Sequence, residues 1–326
     1  MKQTAQLAAI AELVKNSKRI AIMGHIGGDT DCYGSAFGLA AALEKINKLV
    51  KVVSESEFPD TLDYLFFYYT GEVVTAVESV DLLILLDSSD VARLSNPEIA
   101  KNLKQAGVKT VLLDHHVHGD LQKFVDIAVS DDTACSTSEI VFQLIETMDI
   151  EIDKNIATCL LAGIVSDTSS FQNQNTTKEC FAVASELMKR GARLASIVNH
   201  TFGGKEVDVL KVWGLAMERL TVDKQSGVVS TYLTHNDILS YGLSTEAISG
   251  IVNFLNSVKG ARIVMLITEE EQGTIKVSLR TRDAHIDVAR LTRQLGGGGH
   301  VKAAGFSFSG SLKILTGGDK SHIVIV

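Results

Sequence analysis

Histidine and aspartate recur at the ends of apolar runs in this chain. His25, Asp29 and Asp31 stand together in HIGGDTD; Asp87 closes LLILLD; Asp114, His115 and His116 close VKTVLLDHH; Asp167 closes LLAGIVSD. A single aspartate after a strand is commonly a helix cap or a turn residue. Gathered in one place, however, these carboxylates would repel one another and hold protons far above their usual pKa unless positive charge sat among them. A divalent metal ion is the economical counter-charge. The donor set is oxygen and imidazole without thiolate, which suits Mn²⁺, with Mg²⁺, Co²⁺ or Zn²⁺ as competitors. The candidates His25, Asp29, Asp31, Asp87, His115 and Asp167 outnumber what one catalytic ion takes while keeping an open position, so two ions bridged by one carboxylate are expected. Two ions roughly 3.5–4 Å apart lower the pKa of a shared water and stabilise the oxygens of an in-line displacement. That chemistry is phosphoester hydrolysis.

The elements that would gather these residues are legible. Between Arg19 and Val129 short apolar runs (RIAIM, VKVV, DLLILL, VKTVLL, FVDIAV) alternate with helical stretches beginning near Tyr33 and after Pro97. Such alternation predicts βαβ units and a parallel sheet, and ligands bind such sheets beyond the carboxyl ends of the strands. Residues 136–190 read as mainly helical, with Ser and Thr caps before EIVFQLIETM. The stretch 191–223, which holds the single tryptophan Trp213, reads as a helical linker ending in the turn DKQSG. Residues 224–326 read as a small α+β domain. The expected fold is therefore α/β: a parallel-sheet domain with flanking helices over 1–190, then a smaller α+β domain.

Composition narrows the partners. With 326 residues and 45% hydrophobic content there is material for two cores. A net charge of −8 argues against a protein that coats long duplex nucleic acid, so a nucleic-acid substrate should be short. No membrane-spanning run and no signal-peptide pattern is evident, and the four scattered cysteines form no CxxC pair. A cytoplasmic protein with reduced thiols is the expectation, and a homodimer is compatible with it.

Taken in order, HxxxDxD, a strand-end Asp, DHH and GIVSDT resemble the four motifs of the DHH phosphoesterases. KVSLRTR followed by LGGGGHVKAAGF resembles the DHH-associated domain of NrnA-type nanoRNases and of cyclic di-AMP or pApA phosphodiesterases. Family II inorganic pyrophosphatases share the first motifs but have a different second domain. The resemblance implies that His25, Asp29 and Asp87 hold one metal, and Asp31, Asp87, His115 and Asp167 the other, with Asp87 bridging. It further implies that His116 contacts phosphate or protonates the leaving oxygen, and that Asp114 orients an imidazole. The first motif departs from the usual HxxPDGDAxGS: this chain reads His25-Ile-Gly-Gly-Asp29-Thr-Asp31-Cys-Tyr-Gly34-Ser35. All three ligands survive, while Gly28 replaces proline and Thr30 replaces glycine, which alters loop stiffness and crowding.

The glycine run before His300 permits close backbone approach to an anion, and Arg280 leaves the preceding strand with a guanidinium suited to phosphate. Arg280, Gly297, Gly298, Gly299 and His300 are therefore candidate phosphate-binding residues, which implies a substrate measured out between two domains. The implied substrates are 5′-phosphorylated dinucleotides or short RNA, with 3′-phosphoadenosine 5′-phosphate as a further one. The alternatives are a cyclic di-AMP or pApA phosphodiesterase and, in another class, a non-catalytic nucleotide-binding module. Arg262, Arg282 and Lys302 could touch substrate or be solvated edges. The aromatic run Tyr64–Tyr69 is expected to pack rather than stack a base, and Asn175-Thr176-Thr177 to cap a helix.

Overall fold

The computed structural model describes residues 4–54, 58, 60–116, 119–201, 203, 206–245, 247, 248, 250–317 and 320–325. Two compact units divide at Gly203/Gly204. The first runs α1 (Thr4–Asn16), β1 (Arg19–Met23), α2 (Thr30–Lys45), β2 (Leu49–Val53), β3 (Glu72–Val74), β4 (Leu82–Leu86), α3 (Pro97–Gln105), β5 (Lys109–Asp114), α4 (Leu121–Phe124), β6 (Ile127–Ser130), α5 (Thr137–Thr147), α6 (Lys154–Asp167), α7 (Lys178–Lys189) and α8 (Leu194–Thr201). Its sheet has the order β3-β2-β1-β4-β5-β6, with every pairing parallel. The chain thus winds outward in both directions from β1, and the strand order reverses between β1 and β4. Such a reversal opens a crevice at the strand ends, where open α/β sheets bind ligands.

Side chains alternate across the central strands. Ile20, Ile22, Leu82, Ile84, Leu86, Val111 and Leu113 join the core formed with α1, α2, α5 and α6. Ala21, Met23, Leu83, Leu85 and Leu112 face the opposite way and pack with Ala100, Leu103 and Leu121. Burial on both faces explains why these strands read as continuous apolar runs. Helices α2 and α6 meet closely because glycine removes side chains at the crossing: a Cβ on Gly34 would lie 2.6 Å from the Cys159 carbonyl oxygen, and one on Gly38 2.7 Å from Leu160. In the aromatic run, Tyr64, Tyr68 and Tyr69 are buried, as expected from packing, and only Phe67 is widely exposed. Thr177 caps α7, its hydroxyl accepting from the Cys180 amide at 3.1 Å.

The second unit runs α9 (Val207–Glu218), β7 (Thr221–Val222), β8 (Val228–Leu233), α10 (His235–Leu239), α11 (Ile251–Leu255), β9 (Ile263–Glu270), β10 (Thr274–Arg280), α12 (Val288–Arg293), β11 (Gly298–His300), β12 (Ala303–Ser309), β13 (Leu312–Gly317) and β14 (Lys320–Ile325). Strands order as β11-β12-β10-β9-β8-β7, antiparallel except for the β8–β9 pair. The unit boundary falls inside the span 191–223, between α8 and α9. Helix is shorter than the pattern TEAISGIVNFLNSV suggests, because Gly250 adopts φ +94° and α11 starts only after it. Strand β3 and the hairpin β13–β14 are elements that sequence patterning did not anticipate.

Candidate metal centre

The crevice between β1 and β4 is where the acidic residues meet. β1 leads to His25, and Asp29 caps α2 by accepting the amides of Asp31 and Cys32 at 3.0 and 3.1 Å. Asp31 stands in the first turn of α2, fully buried. It is held from across the site by the first turn of α5, where the Thr137 and Ser138 amides donate to its two oxygens at 2.6 and 3.0 Å. An α-helix N-terminus is a natural cradle for a carboxylate, since its first amides have no partner within the helix. Gly163 on α6 makes this approach feasible: a Cβ there would lie 2.3 Å from Asp31 and 2.1 Å from the Ser138 hydroxyl.

Asp87 follows β4 with φ +56°, a left-handed conformation that aspartate tolerates better than most residues. Its two oxygens face different partners. Oδ2 lies 3.6 Å from His25 Nε2, whereas Oδ1 lies 3.6 Å from both His115 Nε2 and His116 Nδ1 and accepts from the Thr137 hydroxyl at 2.8 Å. His115 Nε2 is also 3.1 Å from Asp167 and 4.0 Å from Asp31. Among the described residues three donor sets gather: His25, Cys32 and Asp87; Asp87, His115 and His116; Asp31, His115 and Asp167. Asp29 joins none of them and stands as a helix cap. Cys32, which sequence reasoning took for an ordinary buried thiol, joins the first; nothing in its spacing marked it out.

The electrostatics match a site built for cations. Burial, then the charge of Asp87, pushes Asp31 up to about 7, with His115 opposing. Burial lifts Asp167 to about 6 and also raises Asp87, whose rise Asp29 adds to while the three histidines oppose it. Burial disfavours charge on His115, but its hydrogen bond to Asp167 and the surrounding carboxylates outweigh that and hold its pKa well above the ordinary value. On His116 burial is likewise outweighed by the 2.7 Å bond from Nδ1 to Asp114 and by the charge of Asp87. Cys32 is pushed up by burial and by Asp87. Among the described residues no lysine or arginine pairs with these acids, and one oxygen of Asp114 is buried with no hydrogen-bond partner. Carboxylates this deep, opposed only by imidazoles, fit divalent ions.

Gly28 and Thr30 have local causes. A Cβ on Gly28 would lie 2.6 Å from the ring of Tyr33, which is buried and bonded to the Ser54 hydroxyl at 2.6 Å. Thr30 is the first residue of α2 and is not among the residues with positive φ, so its branched side chain adds no strain. After Asp167 the chain turns through Ser169, Ser170 and Phe171, three successive non-glycine residues at φ 47°, 58° and 65°. Backbone of this kind persists only where its surroundings over-determine it. Here the Ser170 amide bonds to the Val165 carbonyl at 2.8 Å and the Phe171 amide to the Thr168 hydroxyl at 3.0 Å.

In the second unit Arg280 is half-buried. Its Nε donates to Asn253 at 2.7 Å and one terminal nitrogen to the Leu279 carbonyl at 2.9 Å; among the described residues no carboxylate pairs with it. Burial lowers its pKa to about 10, which leaves it charged at neutral pH. The glycine run is less of a loop than its composition suggests. Gly296 ends α12 at φ +76°, and Gly298–His300 form β11 against β12. Side chains at Gly297 or Gly299 would press on Gly305 and Ala303 oxygens at 2.2 and 2.5 Å, so packing alone already requires these two glycines. The His300 side chain lies outside what the structure describes, as do His118 and the side chain of His322. Lys302 is committed to the carbonyls of Asp283, Ala284 and Ile286, and Arg262 to Asp283. His200 stacks on Tyr64, while His235 and His285 join no donor set.

Comparison with known families places these features. Residues 19–164 match the DHH family N-terminal domain and residues 225–314 the DHHA1 domain, so the chain carries both domains in that order. It is 27% identical over 309 residues to the bifunctional oligoribonuclease and PAP phosphatase NrnA of Thermus thermophilus, covering 94% of this chain and 89% of that protein. Identity to the Bacillus subtilis protein of the same name is 26% over 286 residues, 87% of each. The crystal structure of an exopolyphosphatase-related protein from Bacteroides fragilis superposes with a TM-score of 0.85 at 25% identity, covering 93% of this chain and 91% of the other. Among the described residues no helix is long and apolar enough to cross a membrane.

Proposed function

We propose that this protein is a metal-dependent phosphodiesterase that hydrolyses short 5′-phosphorylated oligoribonucleotides, with 3′-phosphoadenosine 5′-phosphate as a further substrate. The observation that carries the reading is Asp87, whose two oxygens face separate donor sets as a carboxylate shared between two cations would. His25, Asp29 and Asp87 would hold one ion, and Asp31, Asp87, His115 and Asp167 the other, with Mn²⁺ the expected occupant; the capping bonds of Asp29 use only its Oδ1. Such ions supply Lewis-acid stabilisation of phosphoryl oxygens and lower the pKa of water. Asp31 is fixed by the α5 amides, and Asp114 fixes His116 by accepting from its Nδ1. His116, whose bond to Asp114 and proximity to Asp87 raise its pKa against the effect of burial, is assigned to contact phosphate or protonate the leaving oxygen. Arg280, half-buried with no carboxylate partner among the described residues, is assigned a substrate phosphate that is not cleaved.

The choice of substrate is supported by likeness to the two NrnA proteins along nearly the whole chain. It is tested by Mn²⁺-dependent turnover of pApA, cyclic di-AMP, 5′-phosphorylated RNAs of graded length, 3′-phosphoadenosine 5′-phosphate and pyrophosphate. Turnover highest on the shortest linear RNAs supports the proposal. Preference for cyclic di-AMP would make the protein a cyclic-dinucleotide phosphodiesterase, and tight nucleotide binding without turnover would make it a binding module.

A further inference from the structure

Cys32 occupies a position where the DHH pattern carries alanine, and three features set its thiol apart from the other cysteines. Cys135, Cys159 and Cys180 belong to the main hydrophobic core. Cys32 is just as buried, at 2% exposure, but stands outside the hydrophobic clusters, beside the donors of the crevice. Its Sγ lies within 4.8 Å of ring and carboxylate donors of His25 and Asp87, which are themselves 3.6 Å apart. The sulfur is also held in place. The Cys32 amide is pinned to Asp29 at 3.1 Å. Room for it is made by Gly24, where a Cβ would fall 2.1 Å from Sγ, and by Gly28, where it would fall 3.2 Å away.

We propose that Cys32 is a sulfur ligand of the metal centre, joining His25 and Asp87 on one ion. This rests on the reading of the crevice as a divalent-cation site. On binding, Sγ bonds to the ion and the thiol proton leaves to solvent, so affinity at this position rises with pH. A thiolate softens an otherwise oxygen and imidazole set, which favours Zn²⁺ or Co²⁺ over Mg²⁺ at this position relative to an alanine-bearing site.

The test is titration of the metal-free full-length protein with Co²⁺ under anaerobic conditions, for wild type, Cys32→Ala and Cys32→Ser. Wild type should develop the near-ultraviolet sulfur-to-cobalt charge-transfer band, and both variants should lack it while retaining the visible cobalt bands of the remaining ion. Co²⁺ and Zn²⁺ should bind one position roughly 10–100-fold more weakly in the variants, at least the range that loss of a supporting partner costs a metal site. Affinity for Mg²⁺ should change far less. Alanine is the residue of the family pattern and serine is nearly isosteric, so folding of at least one variant is secured and is checked by its melting transition. Two bound cobalt ions without the band, a band that survives in Cys32→Ala, or unchanged affinities would each overturn the sulfur ligand while leaving the metal centre standing. Failure of wild type to bind any divalent ion would overturn both.

Discussion

Replacing Asp87 by asparagine separates what this residue does for the fold from what it does for the site. Asparagine tolerates the left-handed backbone at φ +56° and can still accept the Thr137 hydroxyl bond of 2.8 Å. Alanine can do neither. It would add about 1–2 kcal/mol of backbone strain and about 1–3 kcal/mol for a buried hydroxyl left without its acceptor. Asp87→Ala would therefore confound loss of stability with loss of chemistry. In Asp87→Asn the carboxamide oxygen can serve the side facing Thr137, His115 and His116 or the side facing His25, never both, and the anionic charge is gone. Metal bound per chain should fall from two ions to at most one by elemental analysis after dialysis. Losing an ion removes several kcal/mol of charge stabilisation, so kcat/KM on pApA should drop by on the order of a thousand-fold or more. The metal-free variant should melt no lower than metal-free wild type, because Asp87 is a buried carboxylate whose pKa is raised by burial and by Asp29. Two tightly bound ions with kcat/KM within tenfold of wild type would refute the shared carboxylate.

Four further outcomes are expected. Gly163→Ala should improve helix propensity by up to about 1 kcal/mol yet lose metal affinity and turnover, since the new Cβ must displace Asp31 or Ser138; circular dichroism and metal titration together check it. EDTA should stop hydrolysis without unfolding the protein, because both faces of the first sheet have apolar cores; global unfolding on chelation would mark the metal as structural. In the metal-free protein Asp31 and Asp167 have folded pKa values of about 7 and about 6 against an ordinary 3.8. The folded state then holds more protons than the unfolded state, so melting temperature should fall as pH rises from 5 to 7.5, and added Mn²⁺ should raise it more at pH 7.5 than at pH 5; a pH-independent transition would contradict this. Arg280→Ala should keep its metals and lose roughly 1.5–3 kcal/mol of transition-state binding on pApA, with a smaller loss on an activated diester lacking a second phosphate; equal losses on both would deny Arg280 a phosphate-binding role.

The parallel sheet was readable because each central strand is buried on both faces and flanked by helices, so its apolar run is continuous and its end is marked by the first acidic residue. Short β3, with residues Glu72, Val73 and Val74 at the sheet edge, carries no such run, and its pairing with β2 follows from tertiary position alone. Gly250 broke the expected long helix by its backbone conformation, which residue type permits but does not announce. The glycine run carries a structural demand that composition did not show: two of its glycines are required by contact with β12.

The site was legible in its charges and illegible in its supports. Strand-end aspartates and histidines announce themselves because water-seeking groups after apolar runs need a reason. Thr137 and Ser138, which hold Asp31 and Asp87, look in sequence like an ordinary helix cap, and they do belong to one. The same orphan amides that must be satisfied at the start of α5 are satisfied by a carboxylate from α2, so a local requirement of one helix becomes the positioning device of another. Asp29, expected as a ligand, also caps α2 through its Oδ1 and thereby sets the direction of Asp31 and Cys32. How closely these residues approach one another across the β1–β4 crevice depends on the glycines at 24, 28 and 163 that let the chain close upon it.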